Sequence, residues 1–201
     1  MNWIEHPVRL TGSVVELLPL DKSHFTPLEQ LAKDARIWEF YSVDPSRSCT
    51  FLEVFDAALK EREKRTQYPF VIRHNDSGKI IGSTRFTEIQ PQHRRLEIGW
   101  TWLAPEYWAS GINLECKLLL LRYCFEQLKA YRVQLRTDVL NQRSRKAIEK
   151  IGAQYEGIFR NDMVRENGSK RDSVYYSIID TEWEAVQVHL AGLLRQKIPG
   201  I

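Results

Sequence analysis

One stretch constrains this chain most: a strand, a tight turn, an apolar helix and a second strand in immediate succession. Leu96 to Leu103 alternates in character and is rich in aromatic and β-branched residues, which predicts a strand. The alternation predicts Leu96, Ile98, Trp100 and Trp102 on one face and Glu97, Gly99 and Thr101 on the other. Beyond Ala104 to Ser110, Gly111-Ile112-Asn113 opens a helix predicted to reach about Lys129, and Val133 to Val139 reads as the next strand. This is a βαβ crossover whose helix begins at the carboxyl end of a strand. The first N–H groups of such a helix have no intrahelical partner, and its dipole adds roughly +0.5 charge, so the turn favours an anion. The small residues Ala109, Ser110 and Gly111 let main chain approach a ligand closely. A tight turn with no ligand reads equally well from the same residues.

The remaining segments supply the frame. Ser13 to Leu20 is predicted as a strand. Thr26-Pro27-Leu28-Glu29 carries a capping signature for a helix to about Lys33, and Thr50-Phe51-Leu52-Glu53 does so for a helix ending near Lys64 and Arg65. Strands Pro69 to His74 and Lys79 to Glu88 flank the turn Asn75-Asp76-Ser77-Gly78. Asn141 to Ile151 is a short helix closed by Gly152. A second hairpin, Tyr155 to Val164 and Asp172 to Ile179, precedes an amphipathic helix from about Glu182 to Gln196. The order β-α-α-β-β-β-α-β-α-β-β-α predicts an α+β protein with a mixed sheet covered on both faces. With 201 residues and no Pro/Gly/Ser-rich linker, the chain is expected to be one domain over 1–201.

Composition removes several classes of function. Hydrophobic residues at 43% and charged residues at 27% fit an ordinary globular core. The 29 basic and 26 acidic residues leave a net charge of +3, which argues against nucleic acid as a partner, although Arg94, Arg95 and the run Arg143 to Lys146 are basic. No apolar run is long enough to span a bilayer, and the opening residues lack a signal-peptide core, so no membrane partner is expected. The cysteines Cys49, Cys116 and Cys124 are odd in number and scattered, which suggests free thiols and a cytoplasmic setting. Cys116 and Cys124 fall inside an apolar helix and read as core. The five histidines have no ligand spacing, and neither H-E-x-x-H nor C-x-x-C occurs, so no metal is expected.

The strand Leu96-Glu97-Ile98-Gly99-Trp100-Thr101-Trp102-Leu103, then Pro105-Glu106-Tyr107, the Gly111 turn and its helix resemble the GCN5-related N-acetyltransferase (GNAT) family. Asp138-Val139-Leu140-Asn141-Gln142-Arg143-Ser144 and Lys150-Ile151-Gly152-Ala153 resemble its branch of ribosomal-protein N-terminal acetyltransferases. The likeness runs from about Val14 to Ile179. It implies the mostly antiparallel acyl-CoA N-acyltransferase-like fold, with acetyl-CoA (coenzyme A) as co-substrate. It also implies that the strand carrying Trp102 and Leu103 splays from the Val133 strand, with the pantetheine arm lying in the gap. The family's phosphate loop has the form Q/R-x-x-G-x-G/A; here Trp108 stands first, Gly111 matches and Asn113 stands last. The resemblance therefore places the diphosphate on Trp108, Ala109, Ser110, Gly111, Ile112 and Asn113, with Asn113 expected to cap the helix. Glu97 lies eleven residues before Trp108, the interval of the catalytic glutamate in histone-acetylating members, and is the expected base; burial in an aromatic cleft would raise its pKa. Glu88 is the reserve, and an ion pair of Glu97 with Arg94 or Arg95 is the structural alternative. Asn141 is implied as helix cap and pantetheine partner. Ser144 is implied as proton donor to the leaving thiolate, because the family's usual tyrosine position holds Ile148.

The expected reaction is transfer of an acetyl group to a primary amine by direct attack in a ternary complex. The acceptor is a small-molecule amine or a peptide N-terminus, received beside Trp38 to Val43, with Glu39, Asp44 and Glu97 available to attract a cation. The alternative is a non-catalytic acyl-CoA-binding or regulatory module on the same fold. Monomer and homodimer are both compatible with the sequence.

Overall fold

Strand alternation and helical spacing put apolar side chains on both sides of one sheet, and the structure builds a layer on each. The computed structural model describes residues 3–198, with Ser48 described in its main chain alone. The strands are β1 (Leu10–Thr11), β2 (Val15–Pro19), β3 (Tyr68–His74), β4 (Ile80–Gln90), β5 (Arg95–Leu103), β6 (Arg132–Asp138), β7 (Gln154–Val164) and β8 (Lys170–Ile179). They form one eight-stranded sheet in the order β1-β2-β3-β4-β5-β6-β8-β7. The β5–β6 pair is parallel and every other pair is antiparallel.

The helices are α1 (Phe25–Ala32), α2 (Ser48–Glu63), α3 (Ile112–Arg122), α4 (Gln142–Lys150) and α5 (Trp183–Lys197). On one face Leu17, Phe70, Ile72, Leu96, Ile98 and Val133 pack against α3, α4 and α5. On the other, Leu18, Leu20, Val71 and Trp102 meet α1 and α2 around Leu28, Trp38, Phe51 and Phe55. Burying such side chains contributes about 1.5–3 kcal/mol each, which offsets the ordering of both layers.

Two predicted helix starts move. Asp21 accepts a hydrogen bond from the Ser23 amide at 2.8 Å and opens a 3₁₀ turn that runs into α1, so Thr26-Pro27 lies inside the helix. α2 begins at Ser48, so Thr50 sits within its first turn.

The strand alternation also fails at one point. Arg85 pairs with Gly99 and Ser83 with Trp102, so β5 carries an extra residue there, and Trp100 has φ 51°. This β-bulge re-aims the chain. Leu96 and Ile98 stay on the α3 face, while Trp102 joins the α1/α2 cluster, contrary to the expected common stripe. The bulge turns the aromatic side chains toward Glu97's face of the sheet.

Candidate active site

The site grows from the way β5 and β6 part. They pair only through Arg95 with Arg132, Leu96 with Val133 and Glu97 with Gln134. Beyond this each continues alone, β5 to Leu103 and β6 to Asp138, opening a V with Glu97 at its vertex.

Glu97 is only 2% exposed. Its carboxylate accepts from Gln134 Nε2 at 2.8 Å, Arg136 Nε at 3.1 Å and Thr87 Oγ1 at 3.3 Å. Its ion-pair partner is thus Arg136 rather than Arg94 or Arg95: Arg94 stacks on Tyr131, and Arg95 bonds Gln90. Arg136 also reaches Asp162 and the Tyr175 hydroxyl; burial works to lower its pKa, but Glu97, Tyr175 and Asp162 together hold it above the ordinary value. Glu88, at φ 48° near the end of β4, is exposed. Arg136, Gln134 and Asp162 are site residues the sequence reading passes over. The alternation Arg132-Val133-Gln134-Leu135-Arg136 signals their shared face, but the partner of that face depends on the parallel register.

At the open end of the V, Ala109 (φ 62°) and Gly111 (φ 94°) are both left-handed. Such alternation turns successive amides to one side and makes a concave anion cradle. Among the described residues, the amides of Ala109, Ser110, Gly111 and Asn113 meet no hydrogen-bond acceptor, while Ile112 N–H donates a long 3.4 Å bond to Ser110 Oγ. The helix cap is Gly111, not Asn113, which lies in the first turn of α3 with its buried Oδ1 unpartnered. A free main-chain cradle and an orphaned side-chain acceptor fit a ligand with phosphates and amides. Lys197 Cβ and Ile198 Cγ1 stand 3.1 Å from where a Gly111 Cβ would be, so the end of α5 backs this turn.

Trp108 serves the turn with its ring, since its Nε1 donates to Leu103 O at 2.9 Å. The Arg143 guanidinium lies 3.8 Å over that ring. A cation from α4 thereby stands beside the loop that lacks its own arginine. Asn141 caps α4 as expected, its Oδ1 accepting from Ser144 N at 2.9 Å. Ser144 is half-buried on the first turn, and Ile148 is buried in the core.

The α1–α2 connection covers the Glu97 face. The Tyr41 hydroxyl donates to Thr101 O at 2.9 Å, and its ring lies 5.6 Å from that of Trp100. The β7–β8 hairpin closes on this connection: Glu166 N–H donates to Ser42 O at 3.0 Å, and Arg47 pairs with Glu166 at 2.6 Å. Glu39 is exposed and Asp44 is engaged in a local turn with Ser46 N–H. Below the sheet, Lys117 is buried with Nζ 2.8 Å from Thr101 Oγ1, and burial pushes its pKa down to about 8. Cys116 and Cys124 are core thiols; burial pushes Cys116 up to about 12 and Cys124 well above its ordinary value. Among the described residues no His/Cys/Asp/Glu cluster could hold a metal, and no helix is long and apolar enough to cross a membrane.

The chain and its fold are matched by known proteins. The family model for the acetyltransferase (GNAT) domain matches residues 15–154. YdaF of Bacillus subtilis (strain 168), provisionally named a ribosomal N-acetyltransferase, is 32% identical over 154 residues, spanning 73% of this chain and 79% of its own length. A GCN5-related N-acetyltransferase from Brucella melitensis superposes with a TM-score of 0.86 at 26% identity, covering 94% of this chain and 86% of its own. Mycobacterium smegmatis RimJ, solved in complex with CoA-disulfide, shares the fold (TM-score 0.79, 19% identity, 94% and 95% coverage). The chain belongs to the GNAT family and is an N-acetyltransferase.

Proposed function

We propose that this enzyme moves an acetyl group from acetyl-CoA to a primary amine by direct attack in a ternary complex, with Glu97 as the base. The observation carrying the reading is the V between β5 and β6, with a carboxylate at its vertex and unpartnered amides at its open end. The main chain of Ala109 to Asn113 would hold the diphosphate, with Arg143 beside it. The edges of β5 at Trp102 and Leu103 would pair with the pantetheine arm, assisted by the Asn141 side-chain amide. Acetyl-CoA supplies a carbonyl carbon activated as a thioester and a thiolate that leaves.

An ammonium acceptor must lose one proton before it attacks. Glu97 takes it, directly or through a water, and passes it to solvent. As the C–N bond forms and the C–S bond breaks, the nitrogen passes its second proton to the freed Glu97 carboxylate and on to solvent, while the Ser144 hydroxyl donates one to the departing sulfur and is reprotonated from solvent. YdaF's ribosomal name supports a protein N-terminus as one acceptor class; the aromatic wall of Tyr41 and Trp100 also suits a small amine.

The burial of Glu97 and its three side-chain partners favour a second reading, a non-catalytic acyl-CoA-binding module in which this carboxylate only ties β4, β5 and β6 together. Thiol release from acetyl-CoA with a panel of amines and peptides separates the two. With any accepted amine, Glu97→Gln is expected to lower kcat by roughly 10²–10⁴-fold while leaving the Kd for acetyl-CoA within about threefold. Tight cofactor binding with no release from any amine would establish the module instead.

A further inference from the structure

Among the described residues, Arg85 is a buried cation without an anion. It points from β4 to the same face as Glu97 and is 3% exposed. Its guanidinium lies 4.5 Å from the Trp100 ring centre and 5.3 Å from that of Phe55. One nitrogen has a 3.4 Å bond to Gln67 Oε1, and Nε has no partner. Half-buried guanidiniums on this side are compensated: Arg136 by Glu97 and Asp162, Arg171 by Asp138. Among the described residues Arg85 has no ion-pair partner, and the Tyr41 hydroxyl near it is kept neutral because burial pushes its pKa up. Burial pulls its pKa down only to about 10, so it is charged at neutral pH. A buried charge without a partner is costly, and cation–π contacts return only part of the cost.

The position of the charge is informative. Arg85 pairs across the strands with Gly99, and Thr87 with Glu97, which makes Arg85 and Glu97 diagonal neighbours on one face. Diagonal neighbours of this kind stand about 7–8 Å apart, with Cβ atoms somewhat closer. Gly99, having no side chain, makes room for the Glu97 carboxylate beside Arg85; a Cβ there would stand 2.9 Å from Glu97 Oε1. Phe55 is fully buried and Trp100 half-buried, so Trp100 is the solvent side of the sandwich. The Trp100 ring and the Tyr41 ring against it are thus the groups that must shift for an acceptor to reach Arg85.

We propose that Arg85 is the anion anchor of the acceptor, and that the amine acetylated here carries a carboxylate a few bonds from its nitrogen. The link to acetylation rests on the transfer reading above; the carboxylate-binding assignment does not. Two sources share this chemistry: the carboxylate of a free amino acid, and an acidic side chain at the start of a peptide. The sequence-based expectation of a cation drawn by Glu39, Asp44 and Glu97 is thereby replaced with one of a zwitterion.

The test compares kcat/KM for free amino acids with that for their carboxamides, and for peptides beginning in Asp or Glu with those beginning in Asn or Gln. A preference of about 10- to 100-fold for the carboxylate member is expected, as for a charged hydrogen bond in a buried site, and the arm that shows it identifies the source. Arg85→Met should bring that ratio toward unity without lowering Tm, because it removes an uncompensated buried charge. Arg85→Lys should retain part of the ratio. Calorimetry with CoA-loaded protein and N-acetyl amino acids, against their amides, reads the anchor without turnover. Turnover with no carboxylate preference overturns the anchor and leaves acetyl transfer standing; carboxylate-selective binding without turnover does the reverse. An equal loss on all acceptors with a lowered Tm in Arg85→Met marks a structural residue and also overturns the proposal.

Discussion

Lys117 shows how one side chain can set a pH response. Its ammonium is buried beneath β5, and burial brings its pKa to about 8, below the usual 10.5. Below pH 8 both folded and unfolded chains hold this proton, and the folded state bears the full desolvation cost. Between about pH 8 and 10.5 the unfolded chain binds more protons, so this group's contribution to stability rises with pH across that window. Lys117→Met should raise Tm at pH 7 and flatten that rise in a series of melts from pH 7 to 10.5. Gly111 works by conformation. At φ 94°, and with Lys197 and Ile198 at its back, it admits a side chain only with strain. Gly111→Ala should cost about 1–2 kcal/mol from the left-handed backbone alone and should weaken coenzyme A binding in calorimetry.

Among the elements, α3 is anchored by a carboxylate as well as by its leucines. Glu115 accepts from the amides of Ser13, Val14 and Val15 at 2.7, 2.9 and 2.8 Å, which pins the β1–β2 turn to the helix that carries the cradle. Gly12 permits this, since a Cβ there would lie 2.5 Å from Glu115 Cδ. Glu115→Ala leaves partly buried donors without partners and should cost about 3 kcal/mol or more in urea unfolding. The β5–α3–β6 crossover is legible in the sequence because strand alternation, small turn residues and helical spacing are all local signals. The bulge at Trp100 is not, because a positive φ in a tryptophan has no local marker and follows from the register with β4. Nor is the Glu97–Arg136 pair. Alternation puts Arg136 on a polar face, but only the parallel register makes that face Glu97's. Arg85 escapes for a like reason: one arginine in a strand reads as solvated until α2 is packed over it.

For the whole molecule, the central sheet is weakest where it is most useful. β5 and β6 share three paired positions and then separate, so the two halves of the sheet are joined there by little main chain. A ligand that pairs with both strands should act as a missing rung. At a hundredfold excess over Kd, coenzyme A should add about 2.7 kcal/mol, a rise of roughly 5–10 °C in Tm for a chain of this size. A scanning melt with and without the ligand measures this, and amide exchange slowing on both strands would localise it.

The packing of Lys197 and Ile198 behind Gly111 has a practical side. A purification tag or reporter joined after residue 201 follows within three residues of Ile198, which backs the proposed diphosphate turn, so an enzyme assayed in that form should report a weakened grip on its donor. Fusion through the opposite terminus is the arrangement that leaves the donor's berth clear.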